Sequence, residues 1–239
     1  MTRTEESGAG GVDPRQLWRR QDRPRRGRRP AFSREAITTA AIALADAEGI
    51  DAVTMRRVAS EVGAGVMSLY SYAPDKETLL DLMIDQVSGE LPTSGPLTGD
   101  WRADLKTIGR DQRAHMLRHP WLPAAVQARR TLGPHTLAFL EHALTALRPS
   151  GLAGAARLEI FAQLTSFVAA HVAYEVGQAR AAQDPGRAAA EALYLAEVAA
   201  DGDHPELAEA LAGAAGRPGD PDAMFDRFLT RLVDGLDAG

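Results

Sequence analysis

Apolar residues return every three or four positions from Ile37 onward, at Ile37, Ala40, Ala41, Leu44 and Ala45, and so line one face of an α-helix. Ser33 stands where an N-cap belongs, and Gly49 where the helix must stop. A second helix is predicted from Thr54, another capping residue, with Met55, Val58, Ala59 and Val62 as its inward stripe. Gly63-Ala64-Gly65 breaks it. A very short third helix then carries Val66, Leu69 and Tyr70, and Asp75 caps a fourth with Leu79, Leu82, Met83 and Val87 inward. Short helices with a tight glycine-bearing turn between the second and third predict a helix-turn-helix bundle.

Beyond a Pro/Gly/Ser/Thr loop at residues 89–100, helical periodicity resumes at Trp101 and runs to the C-terminus, broken at Pro120, Pro123, Gly133-Pro134, 149–151, 184–186 and 216–221. It predicts one long helix from Leu152 to Gln178, apolar on more than one face and so buried on two sides, and a terminal helix over about residues 220–236. No stretch alternates with the two-residue period of a strand. The pattern reads as all-α, with an N-terminal three-helix helix-turn-helix DNA-binding domain and a C-terminal helical domain. The expected limits are a disordered arm at 1–30 with at most a short turn near residues 14–20, the helix-turn-helix at 31–78, and the C-terminal helical domain at 79–239.

Charge sharpens this division. The chain of 239 residues carries a net charge of −5, yet residues 1–30 hold nine Lys/Arg against four Asp/Glu. Residues 31–78 hold four against seven, and residues 79–239 fourteen against twenty-one. An acidic body with a basic arm implies a polyanionic partner engaged at one end. The chain has no cysteine, which excludes disulfides and thiolate metal sites or nucleophiles. The N-terminus is polar where a signal peptide needs an apolar run, and the stretch from Leu164 to Ala173 falls far short of the ~20 residues that span a bilayer. The expected setting is the cytoplasm, with no membrane partner.

A B-DNA major groove is about 12 Å wide and admits one helix. Residues 65–72 suit that role: Leu69 packs inward and leaves Val66, Met67, Ser68, Tyr70 and Tyr72 to face DNA. The hydroxyls of Thr54, Ser68, Tyr70 and Tyr72 and the Lys76 ammonium are candidate phosphate partners, helped by helix N-termini. Upstream, Arg25, Arg26, Arg28 and Arg29 sit in an arginine-rich arm that can enter the adjacent minor groove, where the potential is most negative.

Residues 33–87 resemble the DNA-binding domain of the tetracycline-repressor family. The resemblance rests on Ser-Arg-Glu-Ala-Ile from Ser33, Val-Thr-Met-Arg-Arg-Val-Ala-Ser-Glu-Val-Gly from Val53, Ser-Leu-Tyr-Ser-Tyr from Ser68 and Asp-Lys-Glu-Thr-Leu-Leu from Asp75. More loosely, Arg118-His119-Pro120-Trp121, Leu132-Gly133-Pro134 and Leu140-Glu141 resemble the C-terminal domain of the branch containing the tetracycline repressor itself. Gly65, where relatives often place Ser or Thr, and Ala73, where they place a bulky apolar residue, depart from the pattern, so the operator sequence is not inherited. The resemblance implies a homodimeric, ligand-responsive repressor that binds a palindromic operator in double-stranded DNA and is released by a small-molecule effector. It places Arg56 where the family reaches a guanine, and Thr54, Tyr70, Tyr72 and Lys76 where it touches phosphate.

It also implies that the long and terminal helices pair with their copies in a four-helix seam, for which Phe167, Ala170, Phe225, Phe228 and Leu232 are the candidates. A pocket between the long helix and those before it would draw on Trp121, Phe139, His142, Phe161, Leu164, His171 and Tyr174. The helix from Asp75 to Val87 links the two domains and is expected to carry the ligand signal. His115 and His119 have the i, i+4 spacing of a helical metal pair, but the sequence offers no third ligand near them, and the family's magnesium-contacting histidine does not align. They read as ordinary surface or pocket histidines, with no metal, no cofactor and no catalytic constellation expected.

Overall fold

The computed structural model describes residues 14–19, 32–214 and 220–236, and their regular structure is helical throughout. Local chemistry sets the ends of the helices that build the N-terminal bundle. The Ser33 hydroxyl accepts from the Ala36 amide at 3.0 Å and starts α2 (Arg34–Glu48), which Gly49 ends at φ 89°. Thr54 caps α3 (Met55–Glu61) by accepting from the Arg57 amide, and Asp75 caps α5 (Lys76–Ser88) by accepting from Thr78 at 2.6 Å. Between α3 and α4 (Val66–Leu69) the chain reverses at Gly63, whose φ of 66° is a left-handed conformation that a β-carbon disfavours. Ile37, Ala41, Val53, Val58, Leu69 and Leu79 fill the centre of this bundle with almost no exposed surface.

Upstream, Pro14–Arg19 forms a short helix, α1, where at most a short turn was expected. The cause is local amphipathicity: Leu17 is buried, Trp18 packs beside it, and the Arg34 guanidinium donates to the Leu17 carbonyl at 3.0 Å. Helix α5 runs unbroken across residues 78 and 79 and packs on both α2 and α8.

The C-terminal domain is a stack of α6 (Trp101–Arg118), α7 (Leu122–Ala128), α8 (Pro134–Ala146), α9 (Gly154–Ala181) and α12 (Pro221–Asp234). In α9 the residues Ile160, Leu164, Val168 and Val172, four apart, are buried against α6, α7 and α8. Its opposite side is open, with Leu158, Ala162, Ala170 and Tyr174 exposed, so burial on two sides does not occur within one chain. Helices α10 (Pro185–Ala200) and α11 (Pro205–Ala214) pack on each other beside the C-terminal end of α9, and α10 buries no residue. No helix among the described residues is long and apolar enough to cross a membrane.

Candidate nucleic-acid interface and effector domain

The outer face of the bundle is built from side chains that the fold leaves unengaged. Leu69 anchors α4 with no exposed surface, and one residue to either side Ser68 and Tyr70 turn outward. Met67 is 82% exposed and Tyr70 43%, while Val66 is half-buried. Neighbouring α3 adds exposed Thr54 and Arg56. The two consecutive arginines of α3 have different fates: Arg57 is fixed by Glu48 through two charge-assisted hydrogen bonds of 2.8 and 2.6 Å, whereas Arg56 has no ion pair among the described residues. The Thr54 oxygen accepts the capping bond and keeps its own proton to donate.

Tyr72 departs from the expectation. Its hydroxyl donates to the Phe32 carbonyl at 2.9 Å, so its single proton is engaged within the protein and holds the start of α2 against α4. Ala73, the small residue at the family's bulky position, is fully buried. Lys76 lies half-buried in the first turn of α5 with no ion pair among the described residues. Arg25, Arg26, Arg28 and Arg29 lie outside the described residues.

Helix α5 connects this face to the rest of the protein through three acidic residues one turn apart. Glu77 and Asp81 both bind Arg129, the latter at 2.9 Å, and Asp81 also accepts from Thr131 at 3.0 Å. Asp85, 2% exposed, accepts from the Thr136 amide at 2.9 Å and its hydroxyl at 3.0 Å, and lies 3.1 Å from His135 Nδ1. It thereby caps α8, whose own N-cap Gly133 has no side chain to do so. A β-carbon at Gly133 would lie 2.1 Å from Asp85 Cγ, which is why glycine stands there.

The predicted pocket residues do not converge. Phe139 and Phe161 meet edge-to-face at 6.0 Å between α8 and α9, with Leu164 buried and His142 half-buried in the same region. Nearby, burial raises the Asp111 carboxyl above its usual pKa, opposed by His142. Trp121 instead donates its indole N–H to Asp46 of α2 at 2.7 Å, which makes it a strut between the domains. His171 lies among Phe167, Phe225 and Phe228 at 5.9, 5.1 and 6.1 Å, on the α12 side of α9, and Tyr174 is 54% exposed. A shallow groove too tight to hold a water molecule lies elsewhere, lined by Leu105, Ile160, Gln163, Leu164, Leu232, Val233 and Leu236, so Leu164 alone of the predicted set borders it.

The expected seam also changes. Phe225 is 1% exposed within its own chain, stacked on Phe167 at 5.9 Å and covered by the Arg113 guanidinium at 4.9 Å, so it belongs to the protomer core. Arg113 in turn bonds Glu175 and Asp222 at 2.8 Å and pins α12 to α9. Phe228 and Ala170 are exposed, and Phe167 and Leu232 half-buried. No local signal marked the Asp46–Trp121 contact or the Asp81 and Asp85 clasp, because their partners are 48 to 75 residues apart.

Comparison with known proteins agrees with this architecture. Residues 37–83 match the family described as bacterial regulatory proteins, tetR family, and residues 92–239 match the tetracyclin repressor-like C-terminal domain. The chain is 36% identical over 247 residues to the HTH-type transcriptional repressor DrrR1 of Streptomyces coeruleorubidus, covering 98% of this chain and 88% of that one. Among solved structures, apo ActR of Streptomyces coelicolor superposes with a TM-score of 0.73 at 26% identity, covering 87% of this chain and 96% of that one. ActR in complex with actinorhodin gives 0.68 at 28%, covering 85% and 96%. With both domains matched in the expected order, the chain belongs to the TetR family of bacterial regulatory proteins.

Proposed function

We propose that this chain is a ligand-responsive transcriptional repressor that binds a palindromic operator in double-stranded DNA as a homodimer and is released by a small-molecule effector. The observation that carries this reading is the outward face of α4: Met67, Ser68 and Tyr70 project from a helix whose other side is locked by Leu69, beside an Arg56 that pairs with no acid among the described residues. An arginine fork is the best reader of a guanine edge, and Thr54, Tyr70 and Lys76 offer donors to phosphate on either side. Tyr72 supports them by fixing α2 rather than by direct contact. The bundle itself is net negative, so Arg25, Arg26, Arg28 and Arg29 supply much of the non-specific attraction. Removing residues 1–29 is expected to weaken binding and flatten its dependence on salt; an unchanged slope rejects that role. A protein that reads bacterial chromosomal DNA acts in the cytoplasm.

Pairing of two copies through the open face of α9 supports the dimer. Ala162, Ser166, Ala170, Ala173 and Gly177 are small and exposed there, which permits close helix approach, and Phe228 of α12 flanks them. Phe167 and Leu232 border the seam. The name of the DrrR1 relative supports repression, and the actinorhodin complex of ActR supports an effector site in this C-terminal fold.

The effector is read to enter between Phe139 and Phe161, near Leu164 and His142. Phe139 and Thr136 sit about one turn apart on α8, and Thr136 is bonded to Asp85 of α5. A ligand that parts the two rings therefore moves α8, and α8 pulls α5 and the bundle with it. That changes the distance between the recognition helices of a dimer, which must match the roughly 34–36 Å of successive major grooves. A hundredfold loss of affinity needs only about 3 kcal/mol of preference for the released geometry. The test is a footprint on the DNA flanking its own gene, with and without a panel of aromatic small molecules. The expected result is a protected inverted repeat that one effector class abolishes; no protection at low salt contradicts the reading.

A further inference from the structure

At the junction of the two domains the fold assembles a group of side chains that DNA reading and effector sensing do not use. His115 and His119, four apart on α6, face the same way, and Glu90, just beyond α5, joins them, with one ligating atom of each within 4.8 Å of the others. The third ligand that the sequence did not offer is thus brought in from 25 residues upstream of His115, and both histidines are buried rather than on the surface. We propose that Glu90, His115 and His119 form a binding site for a divalent transition-metal ion of the zinc class, which ties the DNA-binding bundle to the effector domain.

The spacing fits such an ion. Bonds of about 2.1 Å in a tetrahedron put neighbouring donors about 3.4 Å apart. His119 Nε2 lies 3.3 Å from both Glu90 carboxylate oxygens, and His115 Nδ1 lies 3.7 Å from one of them. Two imidazoles with one carboxylate favour zinc-like ions over magnesium or calcium, which want oxygen donors.

The hydrogen bonds set the lone pairs. His119 Nδ1 is 2.9 and 3.1 Å from the Asp46 carboxylate, so it carries the proton and leaves the Nε2 lone pair aimed at Glu90. Glu90 at 3.3 Å from Nε2 is matched either by a second proton on the ring or by a cation between the two, and a metal ion takes the place of that proton. This carboxylate–imidazole pairing is also the arrangement that orients metal-bound histidines. At His115 the neighbour is the Arg118 guanidinium, 3.3 Å from Nδ1 and 3.1 Å from Glu90. Arginine can only donate, so His115 Nδ1 also presents a lone pair, and its other nitrogen is buried with no hydrogen-bond partner among the described residues. Arg118 occupies the place of the cation, and its side chain is 53% exposed, free to swing away when a metal arrives. Because Asp46 belongs to α2 and also binds Trp121, an ion here stiffens the seat of the DNA-binding bundle.

The test is Zn²⁺ titration of the chelator-treated full-length protein by competition with a chromophoric chelator, repeated with Co²⁺ to read its coordination by absorption. One ion per chain is expected, with the intense visible bands of a four-coordinate cobalt site. Glu90→Gln, on a side chain 44% exposed, weakens binding by at least about tenfold; Asp46→Asn weakens it by about tenfold. Arg118→Ala tightens it, because a competing cation is gone. Absence of stoichiometric binding overturns the site, as does binding that neither Glu90→Gln nor Arg118→Ala changes.

Discussion

The N-terminal bundle and the C-terminal domain solve opposite problems with the same kind of helix. In the bundle between residues 32 and 75 the one buried polar side chain among the described residues, Thr38, is bonded to the Arg34 carbonyl at 2.9 Å. Thr54, Arg56, Met67, Ser68 and Tyr70 all lie outside. The C-terminal domain buries Asp104, Gln112, His115, His119 and His171, and buried side-chain atoms without a partner among the described residues, on Gln112, His115 and Arg157, are there. A buried polar group left unpaired costs about 1–3 kcal/mol. A module that must present a rigid surface to DNA keeps its interior apolar and satisfied; a module that must respond to a ligand keeps unsatisfied groups inside. The difference is a division between reading and sensing.

The strongest way to break this contrast is to hollow out the rigid partner. Leu69→Ala removes a fully buried side chain and is expected to destabilise the bundle by about 3 kcal/mol, with loss of DNA binding, as read by chemical denaturation and gel shift. Cutting the link between the modules comes next. Asp85→Ala strips the acceptor from the Thr136 amide and leaves α8 uncapped, at a cost of about 2 kcal/mol in denaturation, and it uncouples effector addition from DNA release. A change on the reading surface separates binding from stability: Arg56→Ala is expected to lose about 1–3 kcal/mol of operator affinity, chiefly at one base position, while the melting temperature stays put. The smallest effect sharpens the sensing side. Burial raises the Asp111 pKa, so the folded protein holds this proton to higher pH than the unfolded chain, and the native state loses stability as pH rises through that raised value. Asp111→Asn therefore raises the melting temperature slightly at pH 7, and the gain disappears at acid pH, where the native carboxyl is already protonated.

How much could be read beforehand follows the same division. Ser33, Thr54 and Asp75 were legible as caps, and Leu69 as the anchor of α4, because caps and helical stripes are local signals. In the C-terminal domain the stripes were equally visible, but a stripe does not name the neighbour that covers it. Phe225 and Phe228 are three apart on α12, and periodicity alone could not tell that Phe225 turns into the protomer while Phe228 stays out. Trp121 looked like a pocket wall until its N–H met Asp46 across the domain junction. Glu90 carried no motif at all, since its place beside His115 and His119 depends on where the fold brings the turn after α5.

The most direct test of the claim that α4 reads DNA is selection of bound duplexes from a random-sequence pool by the purified full-length chain, in low salt with heparin as competitor. The account predicts an enriched inverted repeat whose half-sites lie about one helical turn, 10–10.5 base pairs, apart or a multiple of it, and its loss when Met67, Tyr70 and Arg56 are replaced together by alanine. Recovery of no sequence above the heparin-competed background, or of the same repeat by that triple variant, contradicts it.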